Sequence, residues 1–246
     1  MCSRCNIIQR LTGVEWGSSA STLRTSAIAL VYSTAEYCSP VWSHSTHVKK
    51  VDTALHSCLR IVTGTIKSTP IPWLSVLANI QPPDIRRKIA LCREYNKIAD
   101  NADLPIHEDL TGRVGTRLVS RNPLWLKVNE LNHFRPEDEW KRKWNDAQLF
   151  NAHLVADPND KLKGQEIDRR TWTQLNRIRT NHGQCNHVLN KWNPTVDPKC
   201  DCGHPDQTIH HIVNECPMRK FSGGLHEIND LTDEAIEWIR NLDVKL

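Results

Sequence analysis

Between Pro198 and Pro217 the chain reads PKCDCGHPDQTIHHIVNECP, with three cysteines and three histidines in twenty residues. Thiolates and neutral imidazoles are the donors zinc takes, and a structural zinc site closes four such positions in a tetrahedron. The stretch has few large apolar side chains, so burial alone does not offset its ordering entropy. A cross-link or a metal ion is the expected staple. A disulfide between Cys200 and Cys202 is sterically poor, because one intervening residue leaves little freedom to reach disulfide geometry. The pair instead supplies two thiolates from one turn, and Gly203 allows the tight backbone behind them. A helical turn over Thr208 to Glu215 brings a histidine and Cys216 round to the same ion. With His211 as the third ligand the pattern is C-x-C-x8-H-x4-C. His210 is a rival for that position and His204 a weaker one. The competing reading is a metal-free turn whose cysteines are small buried hydrophobes. Four protein ligands leave no open position for water, so the expected Zn2+ is structural rather than catalytic.

Upstream of this motif lies a basic stretch. From Lys161 to Lys191 there are seven Lys or Arg against Glu166 and Asp168, a local charge of +5, whereas Ser222 to Leu246 carries −4. Positive charge beside a metal motif is the footprint of a phosphate-binding surface, with a plain solvated helix face as the alternative. Arg169, Arg170, Arg177 and Arg179 are the candidate phosphate contacts, and His204 and Ile212 the candidate base stackers.

The elements that must position these residues read as helices. Residues 20–38 carry Leu23, Ala27, Leu30 and Val31 near one face, with Ser21 or Thr22 as N-cap and Pro40 as the stop. Val48, Val51, Leu55, Cys58, Leu59 and Val62 then form an amphipathic stripe ended by Gly64. Prolines open STPIPWLSVLANI, where Trp73, Leu74 and Leu77 mark the apolar side. Pro83 and Asp84 open a further helix with Ile85, Ile89 and Cys92 inward and its arginines and lysines outward. Four helices so closely joined form a bundle. From Asn101 to Pro136 the pattern weakens into a linker with at most one short helix. RPEDEWKRKWNDAQLF is a polar helix with acids first and bases after, as the helix dipole favours, and its Trp140 and Trp144 form a packing ridge. DRRTWTQLNRIRTNHG is a basic helix, with Ile167, Leu175 and Ile178 inward and the basic residues outward. LTDEAIEWIRNL closes the chain as an acidic helix capped by Thr232 or Asp230. No segment alternates as a strand. The fold class is therefore mainly α, in three regions: helices over 1–118, a linker and polar helix over 119–165, and the basic helix, metal motif and final helix over 166–246.

Composition narrows the function classes. The chain has 246 residues, is 39% hydrophobic, and contains nine Trp but only three Tyr and three Phe. Nothing at the N-terminus resembles a secretory h-region, and the longest apolar run is far too short to span a bilayer. Nine scattered cysteines without such a signal fit an intracellular, reducing compartment. Cys2 and Cys5 form a C-x2-C with no second ligand pair nearby and read as chance. There is no phosphate-cradling P-loop, no H-E-x-x-H, no G-x-S-x-G and no G-x-G-x-x-G. No two aspartates are adjacent, so the converging carboxylates of two-metal phosphoryl transfer are missing.

LRTSAIALVYSTAEYCSPVW, ALHSCLRIVTG and the STP…IRRKIAL pattern together resemble the region after the palm in reverse transcriptases of non-LTR retrotransposons of the jockey and LINE-like type. LTGVEWG is similar to the segment just upstream. LNRIRTNHG and CDCGHPDQTIHHIVNECP resemble the C-terminal basic stretch and CCHC zinc knuckle of the same polyproteins, in the same order. The resemblance implies that residues 1 to about 120 are the thumb that grips a template–primer duplex, adding Arg86 and Arg87 to the nucleic-acid contacts. It also implies knuckle ligands Cys200, Cys202, His211 and Cys216, since the family keeps four residues between this histidine and the last cysteine. RNA or DNA, and in assembly a full-length retrotransposon polyprotein, are the implied partners, with no membrane role. The family's fingers, palm and endonuclease are absent from this sequence, which resembles a truncated copy and is expected to lack polymerase activity by itself. The alternatives are a zinc-stapled helical module that binds protein through the Ile236, Ile239 and Leu242 stripe of the final helix, and a decayed element without function.

Overall fold

A computed structural model describes residues 2–107, 128, 131, 133–244 and 246. Among these residues the secondary structure is helical, with one isolated bridge between Thr12 and Gly17. The chain order is α1 (Cys2–Arg10), α2 (Ala20–Ala27), α3 (Ser33–Ala35), α4 (Ser39–Trp42), α5 (Val48–Thr63), α6 (Ile71–Ala78), α7 (Pro83–Ala99), α8 (Pro136–Asp146), α9 (Arg169–Thr180), α10 (Asn186–Trp192), α11 (Gly224–Asp230) and α12 (Asp233–Asn241). The expected boundary at 118/119 and most of the expected linker lie outside the described residues.

The stripe on α5 does what its spacing dictates. Leu55, Cys58, Leu59 and Val62 are buried against Ile8 of α1, Leu23 and Ala27 of α2, and Leu74 of α6. Each such side chain contributes about 1.5–3 kcal/mol on burial. α5 ends at Gly64, whose φ of 70° is the left-handed turn that glycine adopts without a Cβ penalty. A Cβ there would also collide with Thr173 of α9, so the glycine lets the two helices meet. α2 begins two or three residues earlier than Ser21 or Thr22 would set it: Ser19 is the cap and accepts from the Thr22 N–H. Proline does not stop the rod, which ends at Ala35, ahead of the left-handed Cys38 (φ 49°). A π-helical turn over Ile28–Tyr32 carries it into α3, and Pro40 lies in the first turn of α4, where its missing N–H costs nothing.

A second cluster joins α6, α7 and α8. Trp140 and Trp144 are the expected ridge, and Trp144 meets Trp73 edge-on at 4.9 Å. α7 departs from its expected polarity. Its buried residues include Arg87, which pairs with Asp52 of α5, while Arg86 pairs with Glu36 and lies over the Tyr32 ring.

The third cluster surrounds the cysteine-rich stretch. Trp172, Leu175 and Ile178 of α9 pack with Ile209, Ile212 and Val213, and with Ile228, Ala235, Ile239 and Leu242 of α11 and α12. Thr232 caps α12 through its hydroxyl, which accepts from the Ala235 N–H. The stretch is thus better anchored than its composition suggests, because three aliphatic side chains leave it for the core. Of the expected stripe of the final helix, Ile239 and Leu242 are buried in the same core, while Ile236 is half-buried.

Candidate metal centre

Cys200 and Cys202 stand on a tight turn. The Gly203 N–H donates to the Cys200 carbonyl at 2.8 Å, and the Cys200 N–H donates to the His204 carbonyl at 2.9 Å. Gly203 makes the reversal at φ 91° with open space where a Cβ would be, so the conformation, not crowding, requires glycine. Gln207 ties the turn's return limb: its N–H donates to Pro198 O, and its own carbonyl accepts from the His187 N–H of α10.

The opposite side of the site is a π-helical turn over His211–Glu215. A π turn closes a bond from residue i to i+5 instead of i+4. Here the Cys216 N–H donates to the His211 carbonyl at 2.7 Å, so residues five apart come round to the same side. In an α-helix, at about 100° per residue, they would diverge by about 140°. Ile212 and Val213, inside the turn, point into the core and hold it in place.

These two turns bring Cys200, Cys202, His211 and Cys216 together, with one donor atom from each lying within 4.8 Å of all the others. Cys200 Sγ and Cys216 Sγ are 3.9 Å apart, and Cys202 Sγ is 3.2 Å from His211 Nε2. Zinc–sulfur bonds of about 2.3 Å in a tetrahedron separate neighbouring sulfurs by about 3.8 Å, so the spacing suits that ion. Cys200, His211 and Cys216 are buried and Cys202 is partly exposed. His211 directs Nε2 at the sulfurs, while Nδ1 faces Glu215 Oε2 at 3.5 Å. His210 points away, toward Glu215 and Phe150, and His204 stacks on the His211 ring at 4.1 Å instead of joining the four. The cysteines are free thiols with no disulfide among them. A Cys3His set with its donors already converged fits a metal ion, and would hold it in a closed, structural site.

Burial opposes ionisation of Cys200, yet the Cys202 N–H and neighbouring side chains outweigh it and lower this thiol below its ordinary value. At Cys202 the His204 N–H favours the thiolate, but desolvation and the Cys200 and Cys216 sulfurs raise the pKa. The Cys200 sulfur opposes ionisation of Cys202, which is the electrostatic need a divalent cation meets.

The arginines of α9 do not face solvent as their spacing suggested. Arg169 is buried and donates to the carbonyls of Gly13, Ile61 and Val62 at 3.0, 2.6 and 2.7 Å. Arg177 donates to Gly64 O and Leu246 O, and Arg179 to Lys163 O and to both the side chain and carbonyl of Asn229. Burial lowers Arg169 and Arg177 to about 10 and Arg179 to about 9. All three remain charged at neutral pH, neutralised by carbonyl dipoles. They are fasteners between α9 and its surroundings and are unavailable to phosphate. Arg170 alone of the four is exposed. Arg86 and Arg87 are occupied by Glu36 and Asp52. Ile212 is fully buried and so cannot stack on a base.

Two residues near the sulfurs carried no sequence signal. Glu215 lies inside the His-x4-Cys interval, and Arg219 three residues beyond Cys216. Arg219 donates to Cys200 Sγ at 3.7 Å and to both oxygens of Asp243 at 2.6 and 2.8 Å, and it pairs with Asp201.

With this geometry in hand, the chain is similar to one curated protein in particular. The Retrovirus-related Pol polyprotein from type-1 retrotransposable element R1 of Bradysia coprophila is 21% identical over 218 residues, which are 86% of this chain and 21% of that protein. The likeness supports a retrotransposon-related origin. The chain spans about a fifth of the relative's length. No protein-family model matches the sequence, and no solved structure matches the fold. Among the described residues, no helix is long and apolar enough to cross a membrane.

Proposed function

We propose that this chain is a reverse-transcriptase-related segment of a non-LTR, jockey-like retrotransposon polyprotein, working inside the cell as a nucleic-acid-binding piece without a polymerase centre. In this reading residues 1–118 are thumb-like, 119–165 connect, and 166–246 form a CCHC zinc knuckle with its supporting helices. The observation that carries it is the convergence of Cys200, Cys202, His211 and Cys216 in a chain similar to a retrotransposon Pol polyprotein. The ion's role is structural, holding the 198–207 loop against the π turn. Phosphate contacts fall to exposed cations of the 166–246 region, namely Arg170, Lys191, Lys199 and Lys220. No adjacent aspartate pair exists to anchor catalytic metal ions, so the segment alone adds no nucleotide.

The test is fluorescence anisotropy with a labelled single-stranded RNA and its DNA counterpart, at about 50 and 200 mM salt, on protein whose zinc content is measured. One equivalent of zinc and binding that weakens steeply with salt agree with the proposal. Zinc-loaded protein that binds neither strand at low salt rejects the nucleic-acid role. Protein with no stoichiometric zinc rejects the knuckle.

A further inference from the structure

Arg219 occupies a position no metal-ligand pattern accounts for. Its side chain is 7% exposed, although both acids it pairs with are on the surface. One edge donates to Cys200 Sγ at 3.7 Å, and other N–H groups reach Asp201 on the metal loop and Asp243 beyond α12. The residue's own carbonyl accepts from Trp238 Nε1 of α12 at 2.8 Å. Arg219 N–H in turn donates to the Cys216 carbonyl, placing the residue on the backbone of the last ligand. Arg219 therefore touches one candidate ligand by its side chain, a second by its backbone, the C-terminal part of the final helix by Trp238, and the chain just beyond that helix by Asp243.

Three thiolates and a neutral imidazole around a divalent cation leave a net charge of −1. A cation close to one sulfur offsets that excess, and N–H donation to a ligand fixes its orientation. Asp201 and Asp243 in turn hold the guanidinium, with the bidentate Asp243 contact adding geometric specificity. Lysine has the charge but not the planar fork, so it cannot serve sulfur and both carboxylates at once.

We propose that Arg219 is a positioning residue that couples metal loading to docking of the chain's end: the same guanidinium that steadies Cys200 clamps Asp243, so α12 and the residues after it tighten when the ion is held and loosen when it leaves. The inference rests on the metal reading above, and it adds a link between that site and a helix containing none of its ligands.

The experiment uses the full chain in four forms: wild type, Arg219→Lys, Arg219→Met and Asp243→Asn. Zinc affinity is measured by competition with a chromophoric chelator, and amide hydrogen exchange is followed over 233–246 with and without chelator. Expected results are about 10–100-fold weaker zinc binding in both Arg219 variants, the range typical for groups that orient a ligand. Wild type should exchange faster over 233–246 once zinc is removed. Asp243→Asn, which leaves the arginine charge in place, should exchange faster there even when loaded and change little on chelation. Should Arg219→Met fail to fold, Arg219→Lys and Asp243→Asn still decide. Wild-type affinity in both Arg219 variants, or exchange over 233–246 that ignores zinc in the wild type, overturns the coupling while leaving the metal site standing. Wild-type protein that takes up no zinc overturns both.

Discussion

Arg169 shows how far a side chain's role can lie from its formal charge. Its three carbonyl acceptors sit on α5 and on the loop after α1, so the residue closes hydrogen-bonding needs left by the C-terminal turn of α5. Arg169→Ala strands buried carbonyls and is expected to cost about 2–4 kcal/mol in a urea titration. Arg170→Ala next to it should change stability by less than about 0.5 kcal/mol, while lowering nucleic-acid affinity and flattening the salt slope by about one. If the two substitutions weaken binding equally without unfolding, the division of labour is wrong. At this scale the four converging candidate ligands were readable, because ligand type and spacing are local. The arginines were not. A guanidinium engaged with carbonyls and one engaged with solvent have the same sequence, and only the approach of Gly13, Ile61 and Val62 from elsewhere in the chain separates them.

The helices are held by ends as much as by faces. Asp168 caps α9 by accepting from the Thr171 N–H at 3.0 Å and its hydroxyl at 2.8 Å, with Arg240 at 3.3 Å. Asp168→Ala is expected to cost about 1 kcal/mol, as is Thr232→Ala at the start of α12. Burial opposes the Asp168 carboxylate, but the Thr171 bonds and Arg240 win and hold its pKa below the ordinary 3.8. Its contribution is therefore complete above that value and is lost as pH falls through the lower folded value. Thermal melts from pH 5 to pH 2 should show a smaller acid-induced loss in Asp168→Ala than in wild type. Gly64→Ala faces both a left-handed φ and the Thr173 side chain, and should destabilise by about 1–2 kcal/mol. Most helix spans were legible, since stripes, prolines and terminal glycines are local signals. The passage of α2 through a π turn was not, because nothing in Ile28–Tyr32 distinguishes five residues per closure from four until the packing against α5 is formed.

At the level of the molecule, α9 is the shared wall. One side packs on the cysteine-rich stretch, α11 and α12, while its arginines and Asn176 reach α5 and Gly64. Stability then divides unevenly around the candidate ion. Ile209, Ile212 and Val213 are buried in the core by aliphatic contacts, whereas the loop at 198–207 has few such anchors. Chelation is expected to raise amide exchange in 198–207 and lower the melting temperature, with protection of α5 and α6 unchanged. Global unfolding on chelation would show that the aliphatic anchors do not suffice. Composition suggested that the stretch needed the ion for any shape at all. The hydrophobic share was hidden because three aliphatics among polar neighbours look negligible until their partners on α9 and α12 are in place.

The turn from His211 to Glu215 also sets a rule for chain length. Because its winding is wider than that of an ordinary helix, the histidine and the last cysteine face each other at a separation of five, where an ordinary helix would align residues four apart. Inserting one residue between Val213 and Asn214 would set His211 and Cys216 six apart, which at about 100° per residue diverges by about 120° and swings one donor out of the cage, though every donor would still be present. Lengthening the exposed connection at 193–197 by a residue, by contrast, leaves the cage closed. Tolerance to insertion in this region thus follows helical pitch, and a paired set of such variants assayed for zinc uptake would reveal it.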